Sequence, residues 1–382
     1  MTGQFTITGR HYASEGAVRI TVKEGRIASV EPAGEAGKGL PWIAPGLVDL
    51  QINGYAGLDF NTLPLAVETV QQATRLLLAQ GVTSYLPTII TNSPEAIEEA
   101  MKSIAAACEA DRLTDSTIAG IHLEGPFISP EDGARGAHAK AYVRAPDWAL
   151  FEQWQAASGN RIKVITISPE WPEATAFIER VARAGVIVSI GHTVASPEQI
   201  ADAVRAGARM STHLGNGAQL MLPRHPNFLW EQLSQDDMWG CFIADGFHLP
   251  DSFLKTGFRA KAGKALLVSD AVSLAGMPPG EYDLHIGGKV LLSPEGRLCV
   301  AENPKLLAGS AQLLPWGIAH LARKGLCTIA EAWEMSSLIP GALLGLSSAA
   351  GLTEGAPADL VLYSWDGSEL KITDVYKNGS LV

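Results

Sequence analysis

Ile118-Ala119-Gly120-Ile121-His122-Leu123-Glu124-Gly125-Pro126-Phe127 begins as a short, mostly apolar run of strand type and ends in a carboxylate followed at once by Gly-Pro. Glycine frees the turn and proline removes a backbone donor, so the strand stops at Glu124. A charged side chain at the mouth of a buried strand is costly without a partner. A metal ion would serve, and so would backbone N–H groups or an arginine. The stretch alone leaves these open.

Working outward, apolar runs of the same kind recur. Upstream lie Leu47-Val48-Asp49-Leu50 and Val82-Thr83-Ser84-Tyr85-Leu86, the second read as stopped by Pro87. Downstream lie Ile162 to Ile167, Val186 to Ile190, Arg209 to Thr212, Trp239 to Ile243 and Ala265 to Val268. Between them the spacing predicts helices over Leu65–Gln80, Pro94–Cys108, Pro172–Ala184 and Pro197–Ala206. Ser93-Pro94 and Ser196-Pro197 are N-cap signatures, and Gly81, Gly185 and Gly207 are C-cap residues. Eight near-continuously apolar strands alternating with helices predict an α/β fold of the parallel (β/α)8 TIM type. A doubly wound open sheet is the alternative, but no Gly-x-Gly-x-x-Gly follows an early strand.

The ends of the chain have another character. Phe5–Thr8, Ala17–Val22 and Arg26–Val30 read as strands, with a tight Lys23-Glu24-Gly25 hairpin and a Gly-rich link from Gly34 to Gly39. Past Asp270 a meander is expected over Tyr282–Ile286, Lys289–Leu292 and Arg297–Val300, with turns at Gly287-Gly288 and Glu295-Gly296. Helices follow, from about Ser310 to Lys324 and from about Ile329 to Ser337, before strands return at Asp359–Tyr363 and Ile372–Val382. Residues 1–45 and 346–382 are therefore expected to form one small β-sandwich domain beside a catalytic barrel of residues 46–345.

Of the 382 residues, 47% are hydrophobic and 18% charged, which fits a buried globular core and not disorder. A net charge of -11 argues against nucleic acid as a partner, though a small phosphorylated ligand needs only one or two local donors. Cys108, Cys241, Cys299 and Cys327 form no Cys-x-x-Cys pair, so neither a disulfide framework nor a zinc knuckle is expected. Met1-Thr2-Gly3-Gln4 does not read as a signal peptide, and no apolar run is long enough for a bilayer. The expectation is a cytoplasmic protein with no membrane partner.

In such a barrel, chemistry collects at the C-terminal ends of the strands. Just past them stand Gln51 and Asn53, Glu124, His192, His213, Asp245 with His248, and Asp270. Each alone is as well read as a satisfied structural group: a core histidine, a cap, or a hydrogen-bonded pair. Together at one rim, buried charges without a metal would desolvate one another. Two imidazoles and a carboxylate suit Zn²⁺ with one open position, and Fe²⁺, Mn²⁺ or Co²⁺ are compatible. Asp270 is best kept as the base toward the activated water. The fourth strand end, Ile167-Ser168-Pro169, has no lysine to bridge two metals. The loop Gly133 to His138 allows close backbone approach, and His138 is a candidate electrophile or an exposed loop histidine. Arg224-His225 is a candidate anion receptor or a solvated surface pair.

Ala44-Pro45-Gly46-Leu47-Val48-Asp49 resembles the amidohydrolase superfamily. His122 to Phe127, Gly191-His192-Thr193, Ser211 to Leu214, Ala244 to His248 and Ser269-Asp270-Ala271, in this order, resemble the N-acetylglucosamine-6-phosphate deacetylase family across the chain. The resemblance implies metal ligands at Glu124, His192 and His213. It implies Asp270 as general base and then acid, and His138 on the acetyl carbonyl. Substrate contacts are implied at Ala137, Asn216, Gly217, Arg224, His248, Leu307, Ala308 and Gly309, with Arg224 and His248 toward the sugar phosphate. It implies a homodimer, in which Arg224 serves its own or the neighbouring subunit's site.

The chain departs from the pattern twice. Gln51 and Asn53 replace the His-x-His of two-metal amidohydrolases, which points to a single metal, with Gln51 expected on the water or the substrate. Gly215-Asn216-Gly217 replaces the family's Asn-Ala-Met run, which bears on the substrate more than on the reaction. The expected activity is hydrolysis of an acetamide on an amino sugar. The alternatives are an amidohydrolase for another N-acetylated or cyclic amide, and a non-catalytic ligand-binding barrel.

Overall fold

The computed structural model describes residues 3–34, 39–284 and 288–382. Eight parallel strands alternate with helices: β1 (Leu47–Ile52), β2 (Val82–Ile90), β3 (Ile121–Glu124), β4 (Ile162–Ile167), β5 (Ile187–Ile190), β6 (Ala208–Ser211), β7 (Trp239–Phe242) and β8 (Ala265–Leu267). They are hydrogen-bonded in chain order. The seam between β8 and β1 closes just beyond the ladders, where the Asp270 N–H donates to the Gln51 carbonyl (2.9 Å) and the Asn53 N–H to the Ala271 carbonyl (2.8 Å). This closure brings the ends of β1 and β8 together. Every residue of β1 is buried, as expected for a strand covered on both faces.

The strand pattern follows the expectation, with one instructive difference. β2 does not stop at Pro87 but runs three residues further, to Ile90. Pro87 pairs with Ile52 where the β1–β2 register is irregular, so its missing donor breaks no regular ladder. Helices Pro94–Ala110 and Pro197–Ala206 begin on the predicted Ser-Pro caps, Ser93 and Ser196, each accepting from a backbone N–H. Helices Trp148–Ala157 and Asp251–Ala260 complete units that the sequence pattern left without one.

Strands from both ends of the chain share a seven-stranded sheet, in which Trp42–Pro45 lies between Phe5–His11 and Leu360–Trp365. The predicted hairpin is present, with Glu24 and Gly25 both at positive φ (53° and 78°). Trp333 ties this sheet to the barrel: its Nε1–H donates to the Pro45 carbonyl (2.8 Å) and its ring stacks on Tyr363. After β8 a four-stranded antiparallel sheet is inserted, Gly280–Leu284, Gly288–Leu292, Leu298–Val300 and Asn303–Leu307. Its last strand was not legible in the sequence. The parts of the expected first meander strand at His285 and Ile286, of its turn at Gly287, of the Gly34–Gly39 link and of the N-terminal Met1-Thr2 lie outside the described residues. Among the described residues no helix is long and apolar enough to cross a membrane.

Candidate active site

Glu124 ends β3, while His192 and His213 stand two residues past β5 and β6. Their side chains converge: His213 Nε2 is 3.1 Å and His192 Nε2 3.4 Å from Glu124 Oε1, and the two nitrogens are 3.1 Å apart. All three residues are buried. Burial alone would raise the Glu124 carboxyl, but hydrogen bonds from His192 and His213 outweigh it and hold it well below its usual range. His213 is raised, because Glu124 outweighs the effect of burial. The cluster thus favours positive charge at the point where the three groups meet. The His192 ring is fixed by Nδ1, 2.9 Å from the Ala134 carbonyl, so Nδ1 carries the proton and the Nε2 lone pair faces that point. Two imidazoles and one carboxylate in this arrangement fit a divalent cation.

Asp270 stands beside the cluster with its carboxyl raised to about 6, first by burial and then by the Glu124 charge. Asn53 Nδ2 donates to Asp270 Oδ1 at 2.8 Å, which fixes one carboxyl oxygen. His192, His213 and Asp270 all have positive φ (48°, 27° and 47°), a left-handed backbone that costs a non-glycine residue on the order of 1–3 kcal/mol. Such strain persists only where surrounding contacts over-determine it. Here they do, through Glu124, the Ala134 carbonyl and Asn53.

Two loops meet over the cluster. In residues 133–138 the Arg135 guanidinium donates to the His138 carbonyl, which brings the His138 ring to 4.4 Å from that of His192. His138 is held neutral, its pKa lowered to about 3 by burial and then by His192. Its Nδ1 is 2.8 Å from Thr91 Oγ1. From the other side comes Gly217, at φ 58°, where a Cβ would lie 2.7 Å from His192 Nδ1. His248 is oriented by Asp245, whose Oδ2 accepts from Nδ1 at 2.7 Å.

These groups open into one cavity of about 650 Å³. Of the residues singled out from the sequence, its wall holds Glu124, Ala137, His138, His192, His213, Asn216, Gly217, His248, Asp270, Leu307, Ala308 and Gly309. Asn53 lies on it as well and Asp245 sits behind His248, while Gln51 and Arg224 are placed otherwise. Gln51 is buried behind the cluster, its amide donating to Glu124 Oε1 at 2.8 Å, because β1 continues past Leu50 and turns this side chain inward. It therefore supports the carboxylate and does not reach the cavity. Arg224 is exposed on the loop after β6 and is not part of the wall.

Other residues escaped the sequence reading. Thr91 would have emerged from the strand-end rule had β2 been carried through Pro87. The bond from Asn53 to Asp270 crosses the β1–β8 seam, which no local pattern reveals. Beneath the cluster, His122 Nε2, Thr166, Thr212 and Ser189 form a buried hydrogen-bonded row across β3 to β6, with His122 Nδ1 on the Leu50 carbonyl.

Comparison with known proteins agrees with this geometry. The Amidohydrolase family profile matches residues 42–382. The chain is 32% identical to the N-acetylglucosamine-6-phosphate deacetylase of Lysinibacillus sphaericus, over 90% of this chain and 88% of the relative. It is 34% identical to that of Rattus norvegicus, over 89% and 83%. The chain belongs to the amidohydrolase family, among the N-acetylglucosamine-6-phosphate deacetylases. Solved structures resemble it throughout. A variant of the Mycobacterium smegmatis deacetylase in complex with N-acetyl-D-glucosamine-6-phosphate superposes with a TM-score of 0.85 at 26% identity, covering 99% of both chains. The Thermotoga maritima deacetylase gives a TM-score of 0.84 at 25% identity, again over 99% of both. The family is metal-dependent, and the Glu124–His192–His213 cluster is a site able to bind the metal.

Proposed function

We propose that the chain hydrolyses the N-acetyl group of N-acetylglucosamine 6-phosphate, giving glucosamine 6-phosphate and acetate in amino-sugar catabolism. The observation that carries this reading is the convergence of Glu124, His192 and His213 beside a separate buried carboxyl, Asp270, on one cavity of about 650 Å³, which is roomy enough for a hexosamine phosphate. It is supported by family membership and by the substrate bound to the mycobacterial relative. A non-catalytic binding barrel would have no use for a cation cluster paired with a poised base.

Glu124, His192 and His213 would hold one divalent ion, best read as Zn²⁺, with Fe²⁺, Mn²⁺ or Co²⁺ fitting the same donors. When bound it supplies a Lewis acid that polarises the amide carbonyl and acidifies water. Asp270 takes a proton from the water whose oxygen attacks the acetyl carbon. Asn53 keeps one Asp270 oxygen occupied, which leaves the other for that proton. His138 stabilises the negative charge growing on the carbonyl oxygen. For this neutral ring to donate from Nε2, Nδ1 must accept, so the Thr91 hydroxyl is its donor. As the carbon–nitrogen bond breaks, Asp270 returns the proton to nitrogen, and amine and acetate depart.

The loop of Ala137, the Asn216-Gly217 turn, His248 and the Leu307 to Gly309 segment are the substrate contacts in this reading. The working form is read as a cytoplasmic homodimer. Leu220 and Met221 are 95% and 86% exposed on the loop that carries Arg224, an apolar tip suited to cover by a second copy. The test is acetate release from N-acetylglucosamine 6-phosphate, from the unphosphorylated sugar and from N-acetylamino acids, with metal content measured. Release from the phosphorylated sugar first among the three is expected. Activity confined to N-acetylamino acids would refute the assignment.

A further inference from the structure

Resting on the reading just given, we infer that Lys305 is the cation that this chain itself presents to the phosphate of its substrate, and so sets the preference for a phosphorylated sugar. The need for one follows from the charge. Glu124 and Asp270 line the cavity and the whole chain carries a net charge of -11, so a phosphate entering it needs a local cation. A divalent ion at the cluster offsets part of this charge, but at the end where the amide reacts. Among the described residues Lys305 is the only lysine or arginine on the wall. Arg224, the cation that the sequence suggested, is not on it.

Lys305 is also free to act. It lies on Asn303–Leu307, the terminal strand of the inserted sheet, paired on one side only with Leu298–Val300. That strand leads into Ala308 and Gly309, which form part of the same wall. Among the described residues its ammonium has no ion pair or hydrogen bond, while its backbone N–H donates to Asn303 Oδ1. Several other exposed lysines, such as Lys163 and Lys255, are likewise without an ion pair among the described residues, and what sets Lys305 apart is its place on the cavity wall. An unpaired ammonium at the edge of an acidic cavity is a ready partner for a phosphate oxygen, where a charge-assisted hydrogen bond is strong.

The experiment is steady-state kinetics on the metal-loaded enzyme with N-acetylglucosamine 6-phosphate and with N-acetylglucosamine, for wild type, Lys305→Ala, Lys305→Arg and Arg224→Ala. The readout is the ratio of kcat/KM for the two sugars. Lys305→Ala is expected to lower this ratio about 10-fold or more, through KM for the phosphorylated sugar, and Lys305→Arg to restore most of it. Calorimetric binding of glucosamine 6-phosphate should weaken in parallel, and its salt dependence should flatten. An unchanged ratio in Lys305→Ala, or a fall for both sugars together, overturns the inference while leaving the deacetylase reading in place. A collapse in Arg224→Ala with none in Lys305→Ala does the same. A wild-type enzyme that releases no acetate from either sugar overturns the functional reading and this inference with it.

Discussion

Replacing Thr91 by valine removes one hydroxyl and keeps the volume nearly constant. Thr91 is buried and its Oγ1 lies 2.8 Å from His138 Nδ1. The ring is neutral across the working range, because burial and His192 lower its pKa to about 3. A neutral imidazole carries one N–H, so what sits at Nδ1 decides whether Nε2 donates or accepts. With the hydroxyl gone, Nδ1 has lost its buried partner, which costs about 1–3 kcal/mol. The neutral ring then loses its bias toward the Nε2–H form needed at the reacting carbonyl. If that loss is felt mainly in the transition state, kcat falls about 5- to 150-fold, since each 1.36 kcal/mol is a factor of ten. KM and metal content should move little. Thr91→Ser keeps a hydroxyl and should stay close to wild type. The assay is acetate release under saturation, with metal quantified in the same preparations. A Thr91→Val enzyme with wild-type kcat would show that the ring takes its tautomer from elsewhere. A valine variant that loses its metal would show that Thr91 serves the Glu124 strand end, whose carbonyl lies 3.5 Å from the same oxygen.

Asp270→Asn should lower kcat about 10²- to 10⁴-fold with metal stoichiometry unchanged; loss of metal would move Asp270 into the ligand set. Gly217→Ala puts a Cβ 2.7 Å from His192 Nδ1 at a φ of 58°, and should weaken metal retention about 10- to 100-fold in chelator competition. Asp49 is buried, with its carboxyl raised to about 7 chiefly by desolvation. Its folded pKa lies above the unfolded one, so the folded state binds the extra proton between pH 4 and 7 and stability falls as pH rises through that window. In urea melts of the metal-free protein, Asp49→Asn should gain on the parent as pH climbs from 4 to 7, by on the order of 4 kcal/mol at most, and a pH-independent gap would refute the assignment. Lys377 and Asp359 form a buried pair at 2.7 Å in the seven-stranded sheet, and Lys377→Met should cost about 3–5 kcal/mol in chemical denaturation by stranding the carboxylate.

The barrel and its reactive rim were legible because one rule connects them: a parallel strand buried on both faces reads as an apolar run, and the residues at or just past its end face the site. That rule reaches Glu124, His192, His213 and Asp270 directly. It fails where a strand end is misplaced. Proline is a poor strand residue, so stopping β2 at Pro87 was a sound expectation, but the irregular register at Ile52 tolerates it and Thr91 stands just past the true end at Ile90. Gln51 could not be assigned a direction, because all six residues of β1 are buried and no alternation reveals which face a side chain takes. Lys305 was hidden for another reason. Asn303–Leu307 begins with Asn-Pro and is almost wholly exposed, so only its pairing makes it a strand. Arg224 looked close to the site because only ten residues separate it from His213, yet the loop between them carries it outward.

Backbone strain was the least legible feature and bears most on how the site works. Histidine and aspartate enter the left-handed region more readily than most residues, but nothing in Gly191-His192-Thr193 or Ser269-Asp270-Ala271 singles it out, and remote partners hold them there. The Ala134 carbonyl fixes His192 from the loop after β3, Glu124 fixes His213 from β3 itself, and Asn53 fixes Asp270 across the β1–β8 seam. Each partner is remote in sequence, so the geometry of the cluster is a property of barrel closure and not of any single motif. It follows that Asn53→Ala, which leaves every metal donor in place, should release the Asp270 carboxyl from its fixed oxygen. That would lower kcat with little change in metal content. Gln51→Ala, on the opposite side of Glu124, should act the other way and loosen the metal first.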